Sequence, residues 1–130
     1  MFSSIVVAVD GSDPANRALE TACGLAGGFQ SELHLIHARE SIDASGAEVS
    51  DMCHVLEAAT KRARAAGITP SSATSVAGDP FEEIMTIVGL YSGDLVVTGR
   101  RGLGNIGGLF AGSTSQKIAK SADCAHLSVK

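Results

Sequence analysis

The chain has 130 residues and a mass of 13.2 kDa, a size that predicts one domain with a buried core, spanning residues 1–130. With 45% hydrophobic and 18% charged residues, the composition excludes an intrinsically disordered chain. The net charge of −4 argues against nucleic-acid binding, which depends on basic surfaces. No apolar run approaches the ~20 residues of a membrane span. Because no signal peptide is recognisable and three cysteines lack a CxxC pattern, we expect a cytoplasmic protein with free thiols.

Short apolar runs alternate with segments of helical periodicity along the chain. Five runs have the length of strands, and only the third is rich in Ser and Thr: 4–9, 32–38, 69–77, 94–98 and 124–129. Between them, apolar residues recur three and four positions apart, which predicts four helices. Asp13 is the expected cap of the first helix, and Gly27 and Gly28 its expected end. Asp79 with Glu82 predicts a capping box at the third helix.

The order of predicted elements is βαβαβαβαβ. Each connection between strands is long enough to contain a helix, so neighbouring strands are expected to run parallel. Helices that return the chain in this way cover both faces of the sheet. The sequence therefore predicts an α/β fold with one open, doubly wound sheet of five parallel strands.

Glycines are concentrated after the fourth predicted strand, with five between positions 99 and 108. A strand followed by a glycine-rich loop and a helix start can bind phosphate, because exposed N–H groups and the positive helix end favour an anion. Arg100 and Arg101 would add positive charge, and Ser113 and Thr114 would add hydroxyl donors. Exposed arginines at a loop tip are the alternative interpretation of the arginine pair.

Two familiar nucleotide motifs overlap in this loop, and neither fits its context. Residues 102–107 match GxGxxG, but the dinucleotide-binding version follows the first strand and opens a helix directly. Residues 107–114 approach a P-loop, but Ser113 stands where the lysine that reaches the terminal phosphates should be. Both readings are therefore disfavoured.

A third spacing fits the loop better. Gly99, Gly102 and Gly112 are separated by two and nine residues and are followed by Ser113, which forms the pattern G-x2-G-x9-G-[ST]. With this pattern and segments 5–12 and 78–80, the sequence resembles the ATP-binding universal stress protein family over nearly its whole length. The resemblance implies the strand order 3-2-1-4-5. It also implies ATP, normally carried with Mg²⁺, at the carboxyl ends of strands 1 and 4.

The resemblance also assigns site residues. Asp10 would contact the nucleoside, and Ala38 would lie on the adenine side. The residues implied to cradle phosphate and ribose are Gly99, Gly102, Gly112, Ser113 and Thr114, with Arg100 and Arg101 as phosphate candidates. For Asp10, the alternative is a structural role in which its carboxylate ends strand 1 and hydrogen-bonds the following turn.

The function implied is that of a small ATP-binding stress-response protein, a nucleotide-dependent sensor or regulator with a protein partner that the sequence does not identify. At most slow hydrolysis is expected, since the P-loop lysine is missing and no nucleophile with a neighbouring base is recognisable. One alternative is a phosphoryl- or nucleotidyl-transfer enzyme on a similar fold. Another is a dimeric interaction module that binds no nucleotide.

The resemblance further implies a homodimer in which the last strand, at the sheet edge, pairs with its copy. Edge strands expose unpaired N–H and C=O groups, which symmetric pairing would satisfy. Leu127 and Val129 share one face of this strand, and His126 and Ser128 the other. The family's last strand usually has a proline followed by aliphatic residues, so this alternation predicts one core-facing face and a weaker dimer contact. The alternative is a monomer in which Lys130 and His126 prevent the edge strand from pairing.

A zinc site is not expected from the histidines. His34 and His37 are three positions apart on a strand, so they should point to opposite faces of the sheet. His54 follows Cys53 on a predicted helix, where adjacent side chains do not converge.

Overall fold

The computed structural model describes residues 1–40, 46–100 and 112–130, with the backbone alone at 46–48 and 112–113. Strands and helices alternate along the chain. They are β1 (Ser4–Ala8), α1 (Asp13–Phe29), β2 (Glu32–Arg39), α2 (Gly46–Ala65), β3 (Ser72–Ala77), α3 (Pro80–Tyr91), β4 (Leu95–Gly99), α4 (Gly112–Ser121) and β5 (Ala125–Val129). Within these ranges, no helix is long and apolar enough to cross a membrane.

The five strands form one sheet in the order β3-β2-β1-β4-β5. Every neighbouring pair is parallel. The α/β class, the parallel pairing and the strand order are therefore confirmed. β1 lies at the centre, and the chain moves to one side of it through β2 and to the other side through β4.

The core consists of two layers, one on each face of the sheet. Ile5, Val7 and Val9 pack in the layer that includes buried residues of α1 and α2. Val6 and Ala8 pack in the opposite layer, with buried residues of α3 and α4. β1 is buried on both faces, which explains why its sequence is a continuous apolar run and does not alternate with polar residues.

The start of α1 differs from the prediction by one residue. Ser12, and not Asp13, is the N-cap: its backbone is extended and its Oγ accepts from the N–H of Ala15 at 3.2 Å. Its C=O accepts the first helical hydrogen bond, from the N–H of Asn16 at 2.9 Å. Pro14 has no N–H to offer, so the cap bond passes to the next residue along the helix.

The end of α1 also differs from the prediction. Gly27 and Gly28 lie inside the helix, which continues to Phe29 and is capped by Gln30 in the left-handed conformation, at φ 57°. A glycine within a helix costs about 1 kcal/mol relative to alanine, and burial of Cys23 and Ala26 on α1 offsets that penalty. At α3, the predicted cap is confirmed, because Asp79 Oδ2 accepts from the N–H of Glu82 at 3.0 Å.

The two histidines of β2 lie on opposite faces of the sheet, as expected. His34 stacks on Tyr91 of α3, with ring centroids 4.1 Å apart. Its Nδ1 lies 2.7 Å from Ser72 Oγ on β3. His37 lies on the other face, three residues further along, and is 4% exposed. Its hydrogen-bond partner is Val9, which follows β1 at the carboxyl ends of the strands.

Candidate functional site

β1 and β4 are adjacent strands whose chain connections leave in opposite directions, so their carboxyl ends border a crevice. Their register pairs Val7 with Val97, Asp10 follows β1 by two residues, and Gly99 ends β4. Ala38, one residue before the end of β2, lies on the other side of β1, where it pairs with Val76. Ligands of open α/β sheets bind at such a point, where the strand order reverses.

Asp10 holds the turn that leads from β1 into α1. Its Oδ1 accepts from the N–H of Ser12 at 2.9 Å, and Gly11 adopts a left-handed φ of +84°, which glycine tolerates best. The structural role considered for Asp10 is therefore confirmed. Its second oxygen, Oδ2, makes no hydrogen bond to any described residue, and the side chain is half-buried.

Gly99 marks the close approach of α1 to the end of β4. A Cβ atom at this position would lie 2.8 Å from the N of Ala15 and 2.8 Å from the carbonyl carbon of Pro14. Those atoms are backbone, so they cannot rotate away as the end of a flexible side chain would. The glycine therefore has a packing reason at the same position where the sequence predicts a ligand contact.

Next to Asp10, His37 connects β2 to the end of β1. Its Nδ1 lies 2.7 Å from the carbonyl oxygen of Val9. Because a carbonyl only accepts, Nδ1 carries the proton and the neutral ring keeps its lone pair on Nε2. Burial lowers the pKa of His37, outweighing the Val9 hydrogen bond and the negative charge of Asp10, which favour protonation. His37 is thus a neutral group fixed beside the β1 turn.

A polar cluster connects α4 to β4 and β5 on the opposite face. The hydroxyl oxygen of Thr98 lies 2.8 Å from Nε2 of His126 and donates to Ser115 Oγ at 3.3 Å. Ser115 in turn donates to Ser128 Oγ at 3.2 Å. Burial lowers the pKa of His126, so its ring takes part as the neutral form near neutral pH. The cluster attaches the first turn of α4 to the edge strand.

Of the remaining predicted site residues, four lie in described parts of the chain and two do not. Arg100 extends the β4–β5 pairing, with its N–H donating to the carbonyl oxygen of Val129 at 2.6 Å. Gly112 and Ser113 form the start of α4, and the Thr114 side chain is 4% exposed. Arg101 and Gly102 lie outside the described residues, so their assignments stay predictions.

Sequence reasoning missed the positions of His37 and of the cluster around Thr98. For His37, the available signal was a histidine inside an otherwise apolar strand, which we considered only as a metal ligand. For the cluster, the signal was the alternation of His126 and Ser128 on β5. That pattern predicted a polar face but did not identify Thr98 and Ser115 as partners.

The fold defines an open parallel α/β domain with a switch point between β1 and β4. The profile of the Universal stress protein family matches residues 1–130, and the chain belongs to that family. It is similar to a universal stress protein of Thermus aquaticus, at 38% identity over 137 residues and 100% of both chains.

Solved structures agree with this membership. A universal stress protein in complex with cAMP is similar with a TM-score of 0.79 at 28% identity, covering 99% of this chain and 97% of that one. A universal stress protein from Archaeoglobus fulgidus in complex with dAMP has a TM-score of 0.80 at 20% identity, covering 98% of both chains. The second similarity shows the shared fold.

Replacing Gly99 with alanine should destabilise the protein. The added methyl group would overlap the backbone of Pro14 and Ala15, and overpacking of this kind costs about 1–3 kcal/mol. Chemical denaturation measures the loss. Gly89→Ala is the matched control, because Gly89 lies in α3 with no atom within 4 Å of its Cβ position, so alanine should be neutral or stabilising there. Equal stability of the two variants would contradict the packing role of Gly99.

Stability should decrease as the pH falls below the ordinary histidine pKa of 6.5. Burial lowers the pKa of His37 in the folded state, so below that pH the unfolded chain binds more protons and unfolding becomes more favourable. His126 contributes with the same sign. Urea denaturation from about pH 7.5 to about pH 5.5 should show this loss.

In His37→Asn, the amide can still donate to the Val9 carbonyl but does not titrate, so the slope of stability against pH should be shallower. His54→Asn, at an exposed position of α2, is the control and should keep the wild-type slope. If wild type and His37→Asn lose stability in parallel, His37 is not the titrating group.

Proposed function

We propose that the protein binds an adenine nucleotide at the carboxyl ends of β1 and β4 and acts as a nucleotide-dependent regulator in stress response. The observation that supports this most directly is the position of Asp10 after β1 and of Gly99 at the end of the adjacent β4, where the strand order of the sheet reverses. The complexes of similar family members with cAMP and dAMP support the adenine class. ATP with Mg²⁺ is the finer proposal, supported by the G-x2-G-x9-G-[ST] spacing of the chain.

Each part of the site has a chemical task in this proposal. In it, Asp10 Oδ2, which bonds to no described residue, accepts from donors of the nucleoside, and Ala38, near the end of β2, borders the adenine. The N-terminus of α4 offers N–H groups and a positive dipole to phosphate. The residues proposed to hold the phosphate and ribose are Gly99, Arg100, Arg101, Gly102, Gly112, Ser113 and Thr114. When bound, Mg²⁺ would neutralise charge on the phosphates.

We propose a regulator and not a fast enzyme. Ser113 takes the position at which a P-loop has its lysine, and this chain therefore lacks that point charge on the terminal phosphates. Binding without rapid turnover lets the nucleotide act as a stable signal. The three cysteines are free thiols, which supports the proposed cytoplasmic location.

Asp10→Asn should weaken binding of both AMP and ATP by about tenfold, equivalent to about 1.4 kcal/mol. Asparagine keeps an Oδ1 acceptor for the N–H of Ser12, so the turn is retained. Its amide group places donors where the carboxylate offers an acceptor. Isothermal titration calorimetry with each nucleotide in the presence of Mg²⁺ measures the change.

Asp13→Asn is the matched control for charge, because Asp13 is exposed at the start of α1, and it should bind like wild type. Gly112→Val tests the phosphate side, where a side chain at the helix start would obstruct the approach of phosphate to the backbone. Wild-type protein that binds neither AMP nor ATP would refute the nucleotide proposal. Unchanged binding in both Asp10→Asn and Gly112→Val would refute the site assignment.

We also propose a homodimer through the free edge of β5. The N–H of Arg100 donates to the carbonyl oxygen of Val129, so the backbone polar groups of Val129 face β4. Because the direction of these groups alternates from residue to residue along a strand, the N–H and C=O groups of His126 and Ser128 point away from β4. Leu127 and Val129 pack on the core with α1, which anchors the strand. Pairing of two such edges across a two-fold axis would satisfy the outward groups.

Ser128→Pro should shift the protein from dimer to monomer. Proline removes the outward N–H of Ser128 without removing a bond to β4, and edge strands tolerate proline on that side. Ser128→Ala is the control: it also loses the contact with Ser115 but keeps the N–H, so it should remain dimeric. Light scattering over a dilution series measures the assembly. A wild-type monomer of 13.2 kDa at high concentration, or a dimer unaffected by the proline, would contradict the proposal.

A further inference from the structure

An open cavity of about 470 Å³ lies beside α1, where β4 and β5 end. The described residues that line it are Pro14, Arg17, Arg100 and Lys130. Three of these four residues carry a positive charge, although the protein as a whole has a net charge of −4. The cavity therefore concentrates positive charge on an otherwise acidic molecule.

Contacts between three elements build this cavity. Arg17 on α1 donates from Nε to the main-chain oxygen of Lys130 at 2.8 Å, which joins residues 113 positions apart. Arg100 is held at the end of β4 by its N–H bond to Val129. The tight packing of Gly99 on Pro14 fixes α1 against β4. The positions of the cationic residues thus follow from the sheet and the helix.

Among the described residues, no acidic side chain neutralises the positive charge of the cavity. Arg62 pairs with Glu20, Nε2 of His34 lies 3.4 Å from Glu32, and within the described ranges no carboxylate side chain lies within 4.0 Å of the cationic groups of Arg17, Arg100 or Lys130. Even if the main-chain oxygen of Lys130 is counted as a terminal carboxylate, three positive charges and one negative leave a net +2. Arg17 uses only its Nε in its contact with Lys130, and its four other guanidinium N–H donors bond to no described residue.

We propose that this cavity binds phosphate carrying two or more negative charges, such as a pyrophosphate unit. Two guanidinium groups match phosphate oxygens with paired N–H donors, and a net charge of about +2 favours a dianion over a monocarboxylate. The phosphate could come from either of two sources. One is the distal phosphates of a nucleotide bound at the neighbouring β1–β4 edge, which rests on the proposed function. The other is a free phosphate compound, which does not.

The test compares two double variants with equal loss of charge. Arg17→Gln/Lys130→Gln removes two cations of the cavity and keeps Arg100, which belongs to the proposed nucleotide site. Lys61→Gln/Arg64→Gln removes two exposed cations of α2 and is the control. Calorimetry with inorganic pyrophosphate at low ionic strength should show a Kd about tenfold weaker in the first variant and within about twofold of wild type in the control. Thermal melting checks that both variants fold, and Lys130→Gln provides a third variant outside the helices.

Titrations with AMP and ATP distinguish the two sources. If the cavity holds distal phosphates, Arg17→Gln/Lys130→Gln loses about tenfold in affinity for ATP and none for AMP. If it takes a free phosphate compound, pyrophosphate binding is lost while both nucleotides bind as in wild type. Wild type that does not bind pyrophosphate, or a control that loses as much affinity as Arg17→Gln/Lys130→Gln, overturns the proposal. If pyrophosphate binding is lost in a protein that binds no nucleotide, the cavity is supported and the proposed function fails.

Discussion

The close approach of α1 to the end of β4 is the contact on which the carboxyl edge of the sheet depends. Because Gly99 has no side chain, the backbone of Pro14 and Ala15 can pack closely against it. A Cβ atom at position 99 would lie only 2.8 Å from that backbone. This contact holds the first turn of α1 against β4, and Ser12, the N-cap of α1, is held by Asp10. It also places Arg17 within reach of Lys130. The contact is steric and independent of charge. Close packing of this kind resists displacement of α1 from β4.

The architecture could be predicted because it depends on features that repeat along the chain. Parallel pairing follows from the alternation of strands with helix-length connections, and the strand order followed from the family resemblance. On β5, the alternation of residues was enough to predict two different faces, and the structure packs Leu127 in the core while His126 contacts Thr98. Helix ends were predicted less well. Ser12 and Asp13 are both good caps, and the choice between them depends on the turn that precedes them.

The candidate site was predicted as positions and not as contacts. The glycine spacing indicated Gly99, but it could not show that the Cβ direction there faces α1. The bond of His37 to Val9 and that of Arg17 to Lys130 join residues far apart in sequence, and local periodicity contains no information about such distances. The assignments of Arg101 and Gly102 remain predictions, because these residues lie outside the described ranges.

The side chains of β5 pack against neighbouring elements, while one edge of its backbone is unpaired among the described strands. Its apolar side chains pack on the core with α1, and Ser128 and His126 contact Ser115 and Thr98 on the other face. Both faces of the strand are therefore attached to neighbouring elements, although its backbone pairs with β4 alone among the described strands. An edge held in this way loses little conformational entropy when it pairs with another strand, because its backbone is already ordered. The polar residues that distinguish this strand from an all-aliphatic one thus stabilise it from within, through α4, and leave its outward N–H and C=O groups unchanged.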